Sequence, residues 1–187
     1  MVKLQRTKEE IIKKTEELAR EYVAKYQGCA QCTFLAIIDA LRWGGLEIIP
    51  EDMEERLFSG LTVLSGGVGM TGDGTCGAVT SSVLAISLAL GIPRESQDAS
   101  ARRTGYATVR KAILDKYYQK YNSLLCKDVQ RKYFGMAWDL TLPEMSEEFL
   151  AQSQGCTIAE TAKLAVECIL DEFEKGNLRG QYKIVTH

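Results

Sequence analysis

Apolar residues recur at helical spacing along almost the whole chain, and this pattern constrains the fold more than any other feature of the sequence. The first such segment begins with a capping box, Thr7 with Glu10, and continues to Gly28, where a helix is expected to stop. Strands alternating with these segments are not visible. The pattern therefore predicts an all-α fold, a helical bundle of about six to eight helices.

The same reasoning locates the remaining helices. They are predicted at about 29–43, from Pro50 onward, and at about 77–90, 99–121, 126–134, 146–152 and 157–175. A second capping box is predicted at Thr157 and Glu160. The 77–90 segment carries no charge, which predicts a buried central helix. With about 15 helical residues it is shorter than the roughly 20 that a membrane span needs, so no membrane insertion is expected.

A glycine-rich segment precedes this helix, with six glycines in the 13 residues 65–77. Such a density predicts a tight loop rather than regular structure. Residues 67–72 match the pattern G-x-G-x-x-G, and 61–64 resemble a short strand, but the second parallel strand of a dinucleotide fold is missing. A nucleotide is therefore not expected, and the glycines are expected to fold the backbone closely around Cys76, with N–H groups available to its sulfur.

Composition excludes several classes of function. The 187 residues are 45% hydrophobic with a net charge of -2, which fits a single domain, 1–187, with a tail at 177–187. The 23 basic residues nearly balance 25 acidic ones and form no basic stripe, so no nucleic-acid partner is expected. The one histidine is His187, which excludes Ser-His-Asp and Cys-His catalysis and histidine-rich metal sites.

The first ten residues are charged and lack the apolar core of a secretory signal, which predicts a cytoplasmic protein. In that compartment thiols stay reduced, and any disulfide is expected to be transient.

Four of the six cysteines, Cys29, Cys76, Cys126 and Cys156, lie just before a predicted helix or in its first turn. A helix start can lower a thiol pKa from about 8.5 to roughly 3.5–7.5, which favours nucleophilic or metal-binding thiolates. The alternative is that they are ordinary buried cysteines, as is expected for Cys168 in the middle of the last helix.

Cys29 and Cys32 form a C-x-x-C motif, a spacing found in redox dithiols and in metal sites. The thioredoxin arrangement needs a preceding strand, which is not visible. Covalent haem needs a histidine directly after the second cysteine, where this chain has Thr33, so no covalent haem is expected. Cys32 is either a true partner of Cys29 or a bystander beside it.

At these positions the chain resembles the redox-active family named for its C-GCAxxG-C-C cysteine pattern, from about residue 27 to 168–170. Gly-Cys-Ala-Gln at 28–31 corresponds to the family's first cysteine box, and Cys-Gly-Ala-Val-Thr-Ser at 76–81 to its second, with Ser81 in place of the last glycine. Cys126 before a short helix and Cys156 before the last helix correspond to the third and fourth cysteines. The resemblance implies an all-helical protein in which four cysteines act together in redox or metal chemistry.

The family also resembles the non-haem part of the split-Soret cytochromes c, whose cysteines are associated with an iron–sulfur centre. The leading hypothesis is therefore an electron-transfer protein with an iron–sulfur cluster, most simply a [2Fe–2S] cluster, held by Cys29, Cys76, Cys126 and Cys156. Gly77 and Ala78, which follow Cys76 in its motif, are expected to contact the cofactor. A redox partner protein is implied but not identified, and a homodimer is expected.

Two alternatives stay open. The first is a metal-free thiol–disulfide protein in which Cys29 and Cys76 exchange and Cys32 can resolve the disulfide. The second is an interaction module with a structural zinc site made of the four cysteines, although such sites usually contain closely spaced cysteine pairs.

Overall fold

The computed structural model describes residues 4–180 and 182–185 and is mainly helical. The helices are α1 (Lys8–Tyr26), α2 (Cys29–Trp43), α3 (Glu51–Leu61), α4 (Gly77–Leu90), α5 (Ala99–Val109), α6 (Asp115–Tyr121), α7 (Cys126–Phe134), α8 (Pro143–Ser153) and α9 (Ile158–Glu174). A π-helical turn, Arg110–Leu114, joins α5 to α6 without a break. The described residues thus form eight continuous helices, and the all-α prediction is confirmed.

The helices pack around α2, which contacts α1, α4 and α9, while α4 and α9 also contact each other. Most residues of α2 are buried, and α4 is buried along most of its length, as its lack of charged residues predicts. The largest fully buried side chains of this core include Phe34, Ile37, Ile86 and Ile169. This packing brings the N-terminal parts of α2, α4 and α9 to the same region of the molecule.

Local signals explain where several helices begin and end. At α1 both hydrogen bonds of the predicted capping box are present, because Thr7 Oγ1 accepts from Glu10 N and Thr7 N donates to the Glu10 carboxylate. Gly91 ends α4 and Asn122 ends α6, each in the left-handed conformation that closes a helix C-terminus.

Two local predictions are wrong, and one segment that resembles a strand in sequence is helical. Thr157 makes no side-chain hydrogen bond that caps α9, because its hydroxyl lies instead 3.7 Å from Cys76 Sγ. The 61–64 segment is the end of α3 and a 3₁₀ turn rather than a strand. Helix α8 begins at Pro143, three residues before its predicted start, because proline suits the first helical position.

Two short strands were not predicted. β1 (Leu46–Glu47) follows α2, and β2 (Lys183–Ile184) lies in the C-terminal tail and pairs antiparallel with it. None of the helices in the described ranges is long and apolar enough to cross a membrane.

Candidate redox site

Four helix starts bring four cysteines to one cavity. Cys29 is the first residue of α2, Cys76 immediately precedes α4, Cys126 is the first residue of α7, and Cys156 lies two residues before α9. All four line a cavity of about 730 Å³. Residues up to 127 positions apart in sequence therefore meet at a single site, where the starts of α2, α4, α7 and α9 line one cavity.

The glycine-rich loop holds Cys76 beside the start of α7. Five consecutive residues, 66–70, have left-handed backbone conformation, and Val68 and Met70 adopt it although they are not glycines. Backbone hydrogen bonds in both directions join the loop to the α7 start: Cys76 N donates to Leu124 O (2.8 Å), and Cys126 N donates to Gly74 O (2.9 Å). Cys76 and Cys126 are consequently fixed next to each other by backbone hydrogen bonds.

Two glycines make the close packing at the site possible. A Cβ at Gly77 would lie 2.4 Å from Cys29 Sγ, so only glycine lets the α2 start approach the α4 start this closely. A Cβ at Gly67 would lie 2.7 Å from Cys126 Cβ, and the φ of Gly67 is +74°. Gly77, which directly follows Cys76, thus has a specific steric role.

Burial determines the acidity of three of these thiols. Desolvation, followed by the charge on Cys29, raises the pKa of Cys76. Desolvation and the charge on Cys76 raise the pKa of Cys126 and of Cys156 to about 12. The expectation that a helix start lowers the pKa is wrong for these three metal-free thiols, because loss of hydration outweighs the backbone N–H groups.

Hydrogen-bond donors nevertheless point at two of the sulfur atoms. The backbone N–H groups of Ala78 and Val79 stabilise the Cys76 thiolate and partly offset its desolvation. Gln130 Nε2 donates to Cys126 Sγ at 3.3 Å, and Gln130 Oε1 accepts from the Trp138 backbone N–H at 3.0 Å, which fixes the amide orientation. N–H groups of this kind stabilise negative charge on sulfur.

Sequence reasoning did not identify Gln130 or the sulfur contact of Thr157. Gln130 lies four residues after Cys126, so the i, i+4 relation on a helix was a usable signal. Thr157 Oγ1 lies near Cys76 Sγ, and the next turn links Thr161 Oγ1 to the Tyr117 hydroxyl at 2.6 Å. The contact between Thr157 and Cys76 depends on tertiary packing, so no local sequence signal predicts it.

Cys156 has an unusual backbone conformation. Its φ is +45°, and it follows Gln154 and Gly155 at +40° and +85°. A non-glycine residue in this region is strained, and such strain is common at functional sites. The residue is half-buried in the turn between α8 and α9, so its thiol is presented by a constrained turn rather than by regular helix.

The other two cysteines do not line the cavity. Cys32 is fully buried, its Sγ donates to Tyr22 O at 3.2 Å, and burial raises its pKa to about 12. Cys168 is half-buried and packs against the core, and burial raises its pKa to about 11. The two cysteines of the C-x-x-C motif therefore lie in different environments: Cys29 lines the cavity, and Cys32 lies in the core between α1 and α2.

Gly77 and Ala78 are buried and lie behind Cys76 rather than on the cavity wall. Gly77 faces Cys29 Sγ, and Ala78 contributes an N–H group to the Cys76 sulfur. Their predicted contact with a cofactor stays a prediction.

The rest of the cavity wall is mostly apolar. Within 4–180 and 182–185, no group of three or more histidine, cysteine, aspartate or glutamate side chains is arranged to hold a metal ion. In the same described ranges, Arg20 is the only charged residue that lines the cavity, and its guanidinium is bonded to Glu16 at 2.8 Å. The site is thus a mostly apolar cavity with four thiols in its wall.

The cysteine arrangement agrees with a known family. Residues 27–168, more than half of the chain, match the family model described as Putative redox-active protein (C_GCAxxG_C_C). The chain belongs to this family, as its cysteine boxes predict. Comparison with curated proteins and with solved structures gave no match.

Proposed function

We propose that the protein transfers electrons through an iron–sulfur cluster, most simply [2Fe–2S], bound by Cys29, Cys76, Cys126 and Cys156. The observation that carries the proposal is that these four thiols, from four separate helix starts, line one cavity. Membership of a redox-active family defined by these cysteines supports the same conclusion.

The residues at the site fit such a cluster in their chemistry. Four cysteine thiolates complete the ligation of a [2Fe–2S] or [4Fe–4S] cluster. Among the lining residues that the structure describes, no carboxylate or imidazole competes with them. The N–H groups directed at Cys76 and Cys126 suit sulfur ligands that carry negative charge.

Loading the site requires two changes in these side chains. The raised pKa values of Cys76, Cys126 and Cys156 keep their thiols protonated at neutral pH, so binding releases protons and should strengthen as pH rises. The sulfur atoms must also move relative to one another, because no three of them are arranged around a common ion position. The proposal therefore includes a rearrangement of cysteine side chains within the cavity.

A bound cluster supplies one-electron transfer, and the chain supplies its environment. Cys76 and Cys126 are buried, whereas Cys29 and Cys156 are half-buried, so two of the four proposed ligands are more accessible than the other two. A redox partner would approach the cluster near these two cysteines. Burial and N–H groups would together set the reduction potential.

Single substitutions test the proposal, with the two other cysteines as matched controls. We expect Cys29→Ser, Cys76→Ser, Cys126→Ser and Cys156→Ser, purified without oxygen, to lose most of their iron and acid-labile sulfide. Cys32→Ala and Cys168→Ala should retain both, because neither side chain lines the cavity. Retention of iron in the first group, or equal loss in all six variants, would contradict the assignment.

A second function is favoured by the contact between the start of α2, at Cys29, and the start of α4, next to Cys76. Cys29 Sγ lies against Gly77, next to Cys76, and the charge on Cys29 raises the pKa of Cys76. In this alternative the two thiols pass two electrons and two protons to a substrate disulfide, forming a Cys29–Cys76 disulfide and two substrate thiols. Mild oxidation should then lower the free-thiol count by two in the wild type but not in Cys29→Ser, and an unchanged wild-type count excludes it.

A further inference from the structure

The cavity is larger than an iron–sulfur cluster with four cysteine ligands requires. Its volume of about 730 Å³ lies within the range of roughly 300–1,000 Å³ that is typical of small-molecule sites. An iron–sulfur core of a few atoms would fill only the side nearest the sulfur atoms. Space for an organic molecule remains beside it.

A large part of the cavity wall is built from apolar side chains. Val23 contributes from α1, Leu140 from the segment before α8, Phe149 and Leu150 from α8, and Ile158 from α9. Phe149 is held by aromatic contacts with Trp138 and Phe134, at ring-centroid distances of 5.5 and 6.1 Å. Its ring therefore offers a supported apolar surface inside the cavity.

Charged ligands find no matching partner there. Among the described residues that line the cavity, Arg20 alone is charged; its guanidinium is paired with Glu16, and its side chain is 69% exposed. An ion that entered the cavity would lose hydration without gaining an opposite charge, which is costly. The wall selects uncharged molecules.

Two of the glutamine side chains that line the cavity are already hydrogen-bonded within the protein. Gln31 Nε2 donates to Thr62 Oγ1 at 2.9 Å. The Gln130 amide is used twice, by Cys126 Sγ and by the Trp138 N–H group. Polar ligand groups that faced these two amides would stay unsatisfied.

We propose that this part of the cavity binds an uncharged, largely apolar small molecule beside the cysteine cluster. The proposal deepens the proposed function, since it names the class of molecule that reaches the redox thiols, and it rests on that function only for the role of the bound molecule. Binding itself needs only the cavity.

A matched pair of probes tests the charge selectivity. N-phenyl-1-naphthylamine is uncharged and apolar, and 1-anilinonaphthalene-8-sulfonate has the same ring system with a sulfonate added. Titrated into the full chain, the uncharged probe should show saturable fluorescence at one site per chain, with affinity at least about tenfold higher than that of the sulfonate. A lack of saturable binding by the uncharged probe would overturn the proposal. Equal or tighter binding of the sulfonate would also overturn it.

Cavity-filling variants locate the binding site. Leu150→Trp on α8 and Ala24→Trp on the exposed side of the cavity enter the space from different walls, and each should weaken binding of the uncharged probe at least about tenfold. Met145→Trp is the matched control, because it adds the same ring on α8 at a 39% exposed position that does not line the cavity. Each variant must keep the wild-type circular dichroism spectrum. Equal weakening in Met145→Trp, or no weakening in either cavity variant, contradicts the assignment.

The iron assay and the probe titration have separate outcomes. Iron-free protein that binds the uncharged probe, with loss only in the cavity variants, supports the cavity site and contradicts the cluster. Iron-containing protein that does not bind the probe supports the cluster and overturns the cavity site.

Discussion

At Cys76, Cys126 and Cys156 the thiol pKa reflects burial more than position at a helix start. Local sequence indicates the helix start, but burial depends on which other helices cover that start. The cysteines were therefore identifiable from the sequence as a group, whereas the direction of their pKa shifts was not. The same limit applies to Thr157, whose sequence context is that of a cap but whose hydroxyl contacts a sulfur atom.

Cys32 provides a test of burial at a single thiol. Burial and the charge on Cys29 raise its pKa to about 12, so its thiolate is scarce at pH 8. In reduced, metal-free protein, N-ethylmaleimide should modify Cys32 at least about 100-fold more slowly than in the urea-unfolded chain. Peptide mass spectrometry at timed intervals gives both rates. Modification at the unfolded rate would contradict the buried position and would favour Cys32 as a resolving thiol.

Gln130 is expected to tune the centre through its hydrogen bond to Cys126 Sγ. Because an N–H donor stabilises the more negative, reduced state, Gln130→Leu should lower the reduction potential by roughly 20–60 mV, the equivalent of one hydrogen bond. Redox titration followed by visible absorption measures the shift. Gln152→Leu, at an exposed position on α8, is the control and should leave the potential unchanged. A potential unaffected by Gln130→Leu would show that the donor has no influence on the centre.

Among the elements, α1 and α9 differ although both begin with the same Thr-x-x-Glu signal. The α1 start is exposed, so Thr7 is free to cap it, whereas Thr157 is buried against Cys76. That a helix forms could be predicted from the helical spacing of its hydrophobic residues and from the glycine that ends it. Cap geometry could be predicted only where no tertiary contact competes.

Removal of the α1 cap should destabilise the protein measurably. We expect Thr7→Ala to lower the free energy of unfolding by about 1 kcal/mol, because the N–H of Glu10 loses its acceptor. Thr7→Ser keeps the hydroxyl and should cost less. Urea unfolding followed by circular dichroism compares the three proteins, and an unchanged midpoint for Thr7→Ala would contradict the capping role.

The glycine-rich loop offers a comparison of two glycines with similar backbone conformation. Gly67 and Gly69 have φ values of +74° and +62°, but only at Gly67 would a Cβ meet a neighbour, Cys126 Cβ at 2.7 Å. Gly69→Ala should cost roughly 1 kcal/mol from backbone strain alone, and Gly67→Ala should cost clearly more and also reduce iron retention. Urea unfolding and iron analysis measure both effects. Equal effects of the two substitutions would mean that the close approach to Cys126 does not matter.

The loop also shows what glycine content can predict. Six glycines in 13 residues correctly predict that no helix or strand forms at 65–76, and Gly77 is already the first residue of α4. The hydrogen bonds that join the loop to the α7 start, in contrast, involve residues about 50 positions further along the chain. Such long-range pairing leaves no local pattern to read.

For the whole molecule, hydrophobic period was sufficient to predict the helical class, because each helix must bury one face. The convergence of four helix starts on one cavity was suggested by the family resemblance rather than by periodicity. The single-domain boundary at 1–187, the cytoplasmic location and the homodimer stay predictions. Sedimentation velocity of the full chain would test the last of these.

The central claim is that the four cysteines hold an iron–sulfur cluster, and it is tested most directly on wild-type protein purified without oxygen. Iron, zinc, acid-labile sulfide and the visible absorption spectrum are measured on one sample. We predict a brown protein with broad visible bands and iron and sulfide in equal amounts, two of each per chain for a [2Fe–2S] cluster. A colourless protein that contains no iron and cannot be reconstituted with iron and sulfide would contradict the claim.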